Sequence, residues 1–239
     1  MGSEMCIRDR SNWWDWGYVP QGTEGNFGVI HHGIRGYSGP LYSSGWSFNV
    51  PTQDLVDAFA AGDKRKDVAV LDIEAWATST GAKYTTGYEH TGYFNNKYIP
   101  RAGESQAQQE LNYETNYRAI RYADVLLMAA EANNRASSPN VSKAQNYLNQ
   151  VRARAYGNSS NASSSTGTTL TQEIWDERRL ELAGEGSRFF DLVRTGQAAS
   201  VISGFVAGKH ELFPIPQTEI DVSNFCLLYT SDAADEEDS

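Results

Sequence analysis

Residues 116–136 read NYRAIRYADVLLMAAEANNRA, and the spacing of their apolar side chains decides the fold. Ile120, Ala123, Leu127 and Ala130 recur three and four positions apart, and a neighbouring row adds Tyr122, Val125, Leu126 and Ala129. That period predicts a helix with a broad apolar stripe, largely buried on both rows. Asparagines and the Ser138-Pro139 pair end it. The next stretch, NVSKAQNYLNQVRARAYG (140–157), repeats the pattern with Val141, Ala144, Leu148, Val151 and Ala155, and Gly157 stands where a left-handed cap closes a helix. Two helices joined by a short polar link make a helical hairpin. Small Ala132, small Ala144, large Leu148 and apolar Val151 lie at the separations used where the helices of a tetratricopeptide-type hairpin touch.

Working outward, the polar run GNSSNASSSTGTT (157–169) is a surface excursion. Thr169 with Gln172 then predicts a capping box for TLTQEIWDERRLELAGEGSRFFDLVRTG (169–196), where Ile174, Leu180, Leu182, Phe189, Phe190, Leu192 and Val193 supply core. Gly184 and Gly186 are placed to bend or divide it. Residues 101–225 therefore read as a helical region. Residues 11–100 differ: they hold five of the six tryptophans and many glycines, as in SNWWDWGYVPQGTEG (11–25) and GIRGYSGPLYSSGWSFNVP (33–51), and no helical period lasts. Loops and short strands around one helix near 52–61 are expected. Thr52 caps that helix, Asp54 suits its first turn, Leu55, Val56 and Phe59 form its apolar side, and Gly62 ends it.

The two extremities do not read as parts of this fold. CLLYTS (226–231) and MCIRD (5–9) can be encoded by opposite strands of one inverted repeat, a pattern that resembles sequencing-library adapter translated in frame at both ends. Residues 1–10 and 226–239 are therefore set apart as adapter-like before structure is considered. Both cysteines, Cys6 and Cys226, go with them, so no disulfide framework is expected. The formal charge is −10, of which five negative charges sit in the terminal tail, leaving about −5 for the rest. Mild acidity without a Lys/Arg patch argues against nucleic acid, whose phosphates demand many cations. No apolar stretch approaches the ~20 residues of a spanning helix.

Four ordered blocks, RYADVLLMAAEANNR, YLNQVRARA, EIWDERRLELAGEGSRFFDLVRTG and GKHELFPIPQTEI, preceded by VPTQDLVDAFAAGDKRKD, resemble the C-terminal half of a SusD/RagB-type nutrient-uptake protein. The resemblance covers about residues 50–222. It departs where CLLYTS stands in place of the Asn-Pro-Gly closure usual after the Ile-Pro-x-x-Glu-Ile segment. It implies a mainly α-helical, SusD-like fold: tetratricopeptide-like hairpins carrying an irregular, loop-rich ligand-binding region. It also implies a non-enzymatic glycan-binding lipoprotein on the outer face of a Gram-negative outer membrane. The implied partners are an oligosaccharide or polysaccharide and a TonB-dependent SusC-type transporter, with membrane attachment only through a lipid anchor that this stretch does not contain. No cofactor is implied.

Sugar capture has a simple chemistry. An aromatic ring covers the C–H face of a pyranose at low entropic cost, while polar side chains bond the hydroxyls at its edge. Trp13, Trp14, Trp16, Tyr37, Tyr42 and Trp46 lie among loop residues and form the expected platform, with Asp15, Asn26 and Arg35 as edge partners. The family's ligand residues form no motif, so none is transferred. Large aromatics are also the commonest core fillers, and only their clustering favours a binding role. Two other functions stay open: a protein-interaction scaffold that binds no sugar, and a glycoside hydrolase. The acids Asp176, Glu177, Glu181, Glu185 and Asp191 could supply a hydrolytic carboxylate pair. They alternate with Arg178, Arg179, Arg188 and Arg194 at helical spacing, which reads as ion pairing on or between helices. The four histidines show no metal-ligand spacing, so no metal is expected. Around Pro214 and Pro216, Phe213 and Ile215 are expected to pin an extended segment to the helical body.

Overall fold

The computed structural model describes residues 28–104, 113, 115 and 117–223. They fall into two compact units, one ending at Arg188 and one beginning at Phe189.

The first unit contains the expected hairpin. Helix α5 (Tyr122–Arg135) and helix α6 (Val141–Tyr156) pack on each other and on α7 (Gly167–Glu181). Leu127 and Ala130 of α5, Ala144 and Leu148 of α6, and Leu170 and Ile174 of α7 share one core and are fully buried. Each buried Leu or Ile there contributes about 1.5–3 kcal/mol. The Asn140 side chain accepts from the Lys143 amide at 3.0 Å to start α6, and Gly157 at φ 75° closes it.

Three details differ from expectation. First, α5 is buried along one face drawn from both rows, Ala123, Leu126, Leu127 and Ala130, whereas Tyr122, Val125 and Met128, with the preceding Ile120, are 43–59% exposed, because α6 and α7 cover one side of the helix. Ala132 is exposed as well, so Ala144, Leu148 and Val151 meet the Ala123, Leu126, Leu127 and Ala130 face instead. Second, α7 starts at Gly167, before the expected Thr169–Gln172 box. Its first turn is tied down by α5, since Asn134 Nδ2 donates to Gly167 O and Thr171 Oγ1, both at 2.8 Å. Third, α2 (Gln53–Ala58) is shorter than 52–61. Thr52 Oγ1 caps it by accepting from the Leu55 amide, but Phe59 leaves the helix with ψ 113° and buries its ring.

The aromatic-rich stretch holds α1 (Gly28–His31), α2, α3 (Lys66–Ala69) and α4 (Ile73–Thr80), with β1 (Val70–Asp72) antiparallel to β2 (Tyr93–Asn95) in the register Leu71↔Phe94. Ile34, Tyr37, Tyr42, Leu71, Ile73, Phe94 and Ile99 form its core. A smaller cluster of Val56, Phe59, Ala69 and Val70 packs with Ala183, joining this stretch to the end of α7. There Gly184, at φ 76°, turns the chain so tightly that an added Cβ would lie 2.6 Å from Asn95 Nδ2, which donates to Gly184 O at 2.8 Å. Only glycine suits that turn.

The second unit carries α8, which runs Arg188–Arg194 from the end of the first, α9 (Ala198–Val201) and α10 (Gln217–Ser223). Phe189 meets Phe190 edge-on at 5.7 Å and Phe205 at 6.4 Å. Phe213 and Ile215 are 85% and 51% exposed.

Candidate functional site

The loops of the aromatic stretch are shaped by backbone contact. Ser47 N donates to Gly33 O and Phe48 N to His31 O, both at 2.8 Å, so residues 45–48 lie against residues 30–34. A Cβ on Gly33 would sit 2.6 Å from Gly45 Cα, so the two strands of loop approach as only glycines allow.

That zipper presents three rings together. Trp46 and His31 are 5.1 Å apart between centroids, Trp46 and Phe48 6.2 Å, and His31 and Phe48 5.7 Å. Trp46 is half-buried and Phe48 is 52% exposed. Arg35 fixes the group from below: its Nη2 donates to Trp46 O at 2.7 Å and its amide to Ser47 Oγ at 2.9 Å. The loop at Gly87 touches the same two residues, since a Cβ there would meet Ser47 Cβ at 3.2 Å and Arg35 Nε at 3.8 Å. It delivers Tyr88, 88% exposed.

Polar groups ring these aromatics. His32 Nδ1 contacts Gly28 O at 2.5 Å, and Asn49 Nδ2 contacts His32 Nε2 at 3.1 Å. The pair of bonds suits a neutral imidazole that donates from Nδ1 and accepts at Nε2. Burial lowers the His32 pKa, with His31 adding to that effect and the Gly28 bond opposing it. Four non-glycine residues among those described adopt left-handed backbone, and three of them, Ser47, Asn49 and Glu89, belong to this surface. Each costs about 1–2 kcal/mol, strain of a kind that collects at functional sites.

The expected platform is thus revised residue by residue. Trp46 lies in the ring cluster just described, and Arg35 bonds its carbonyl. Trp13, Trp14 and Trp16, with Asp15 and Asn26, lie outside the described residues. Tyr37 and Tyr42 are corrected to core residues, 8% and 5% exposed, which leaves no ring face for a sugar. Each can be buried because its hydroxyl is satisfied: Tyr37 donates to Pro40 O at 2.6 Å and Tyr42 to Asn96 Oδ1 at 3.2 Å. His31, Phe48, Asn49 and Tyr88 went unread in the sequence, although Phe48 stands two residues from Trp46 in a run with no helical period.

Glu177, Glu181 and Glu185, at and just beyond the end of α7, sit elsewhere in ion pairs, whereas Asp176 accepts from Gln172 Nε2 at 2.9 Å. Glu181, almost wholly buried, meets Arg154 at 2.5 Å, Arg121 at 2.8 Å and Arg65 at 3.2 Å. Glu177 meets Arg65 and Arg152, while Glu185 meets Lys97 and Arg121. Burial pushes the Glu181 carboxyl up, but the hydrogen bonds and charges of Arg154 and Arg121 outweigh it and hold it at about 2. Lys97 is shifted down, because burial outweighs the attraction of Glu185. Ion pairing is as expected. Its partners, however, come from distant segments, with Arg178 on Asp124 and Arg179 on Asp54.

Among the described residues, a helical hairpin packed on α7 stands with an aromatic, loop-borne surface. The SusD family model matches residues 69–210, and the chain belongs to that family. It is 32% identical over 210 residues to SusD-like protein P2 of Formosa agariphila, covering 79% of this chain and 41% of that one. Among solved structures it resembles a laminarin binding SusD-like protein at 40% identity and TM-score 0.72, over 89% of this chain and 45% of the other. It also resembles the surface glycan-binding protein A of Bacteroides thetaiotaomicron in complex with laminarihexaose, at 29% identity and TM-score 0.71, over 91% and 49%. The chain therefore spans under half the length of these relatives. Among the described residues, no helix is long and apolar enough to cross a membrane.

Proposed function

We propose that this chain is part of a SusD-type protein that captures oligosaccharide without altering it. It would hand the glycan to a TonB-dependent SusC-type transporter at the outer membrane, where a lipid anchor holds the full-length protein. The observation that carries this reading is the half-buried Trp46 beside the exposed Phe48, with exposed Tyr88 on the neighbouring loop, over strained backbone and with Arg35 bonded to the Trp46 carbonyl. Trp13, Trp14 and Trp16, outside the described residues, stay candidates on their sequence alone. The ligand class is a neutral β-glucan of the laminarin type, because two similar structures are named for laminarin or laminarihexaose. The non-catalytic part of the reading is supported by the buried acids. Glu181 is held at about 2 and ringed by arginines, which unsuits it as a general acid near neutral pH.

Affinity electrophoresis through laminarin-containing gels tests it. The wild-type chain is retarded, and the triple variant Trp46→Ala/Phe48→Ala/Tyr88→Ala is retarded markedly less. Unchanged retardation of that variant would remove the platform from these residues.

A further inference from the structure

We propose that a cleft along α4, separate from the platform, is a second sugar-binding site. The proposal rests on the reading of glycan capture and adds a contact to it. The cleft is an open one of about 550 Å³, lined by Trp76, Tyr93, Asp67, Asp72, Lys66 and Ser79 over an apolar floor. Its size falls within the ~300–1,000 Å³ usual for small-ligand sites. None of these residues belongs to the Trp46 surface.

Trp76 is held ready. Its indole N–H donates to Tyr37 Oη at 2.9 Å, its carbonyl accepts from Ser79 Oγ at 2.9 Å and Thr80 Oγ1 at 2.7 Å, and Tyr42 stands edge-on to the ring at 5.3 Å. A ring fixed in advance loses little entropy when a ligand stacks on it. Asp72 is held as well: its Oδ1 accepts from the Ala75 amide at 2.9 Å, which aims the carboxylate. Asp67 is exposed, and its carboxylate makes no hydrogen bond or ion pair among the described residues. Two aromatic walls with two acceptor carboxylates suit the C–H face and the hydroxyl edge of a neutral pyranose. An anionic ligand would meet both aspartates, and Lys66 beside Asp67 disfavours a bare cation.

The test follows the Trp76 indole N–H resonance, assigned by Trp76→Phe, during titration of the full chain with laminarihexaose. It shifts in the wild type and still shifts in Trp46→Ala/Phe48→Ala/Tyr88→Ala. In Asp67→Ala the midpoint rises about tenfold, the size of one lost charge-assisted hydrogen bond. A stationary Trp76 resonance in a chain that laminarin gels retard would overturn the cleft while leaving glycan capture standing. A resonance that no longer moves in the triple variant would overturn its independence from the platform. If no polysaccharide retards the wild type, the capture reading fails and the cleft falls with it.

Discussion

Glu181 shows how one carboxylate can tie three cations from three parts of the chain. Its carboxyl is held at about 2 in the fold, against 4.5 for the ordinary group. A depressed acid contributes stability that is present above its unfolded value and is lost as pH falls through the folded one. The shift corresponds to about 3 kcal/mol, lost between roughly pH 4.5 and 2. Denaturant melts across that window therefore lose stability in the wild type. Glu181→Gln flattens that loss and costs about 3–5 kcal/mol at pH 7, since the arginines keep their burial without their anion. Gly184→Ala tests a different constraint. Left-handed backbone and the contact with Asn95 together cost about 2 kcal/mol or more, read as a lower denaturation midpoint.

At the scale of elements, the seam between α5 and α6 carries the frame. Leu148 is fully buried in it, so Leu148→Ala lowers unfolding free energy by about 2–5 kcal/mol, measurable by denaturant titration. Thr52→Ala removes the α2 cap and costs about 1 kcal/mol in the same assay. These elements were legible because a period of 3.6 and a cap are local signals: α5, α6, Thr52 and Gly157 could all be read from adjacent residues. What the sequence concealed depends on distant partners. The first turn of α7 is set by Asn134, over thirty residues upstream, and not by the Thr169–Gln172 box. The single buried face of α5 depends on which helices arrive to cover it. Arg65 and Glu181 lie 116 residues apart, and no spacing rule could pair them. Tyr37 and Tyr42 look like Trp46 in the sequence, and only the acceptors found by their hydroxyls separate core from surface.

For the molecule as a whole, helices α5, α6 and α7 supply a buried frame, and close glycine contacts shape the aromatic loops. Gly33 against Gly45 brings two loop segments into contact, and that contact holds Trp46 and Phe48 at the surface. The proposed function requires that these rings hold a glucan and leave it intact. It is tested most directly by titrating laminarihexaose calorimetrically into the chain and chromatographing the sugar afterwards. The wild type binds and the hexaose is recovered whole, whereas Trp46→Ala/Phe48→Ala/Tyr88→Ala weakens binding about a hundredfold, near 1 kcal/mol per ring. Equal affinity in the variant, or recovery of shorter oligosaccharides, would contradict the account.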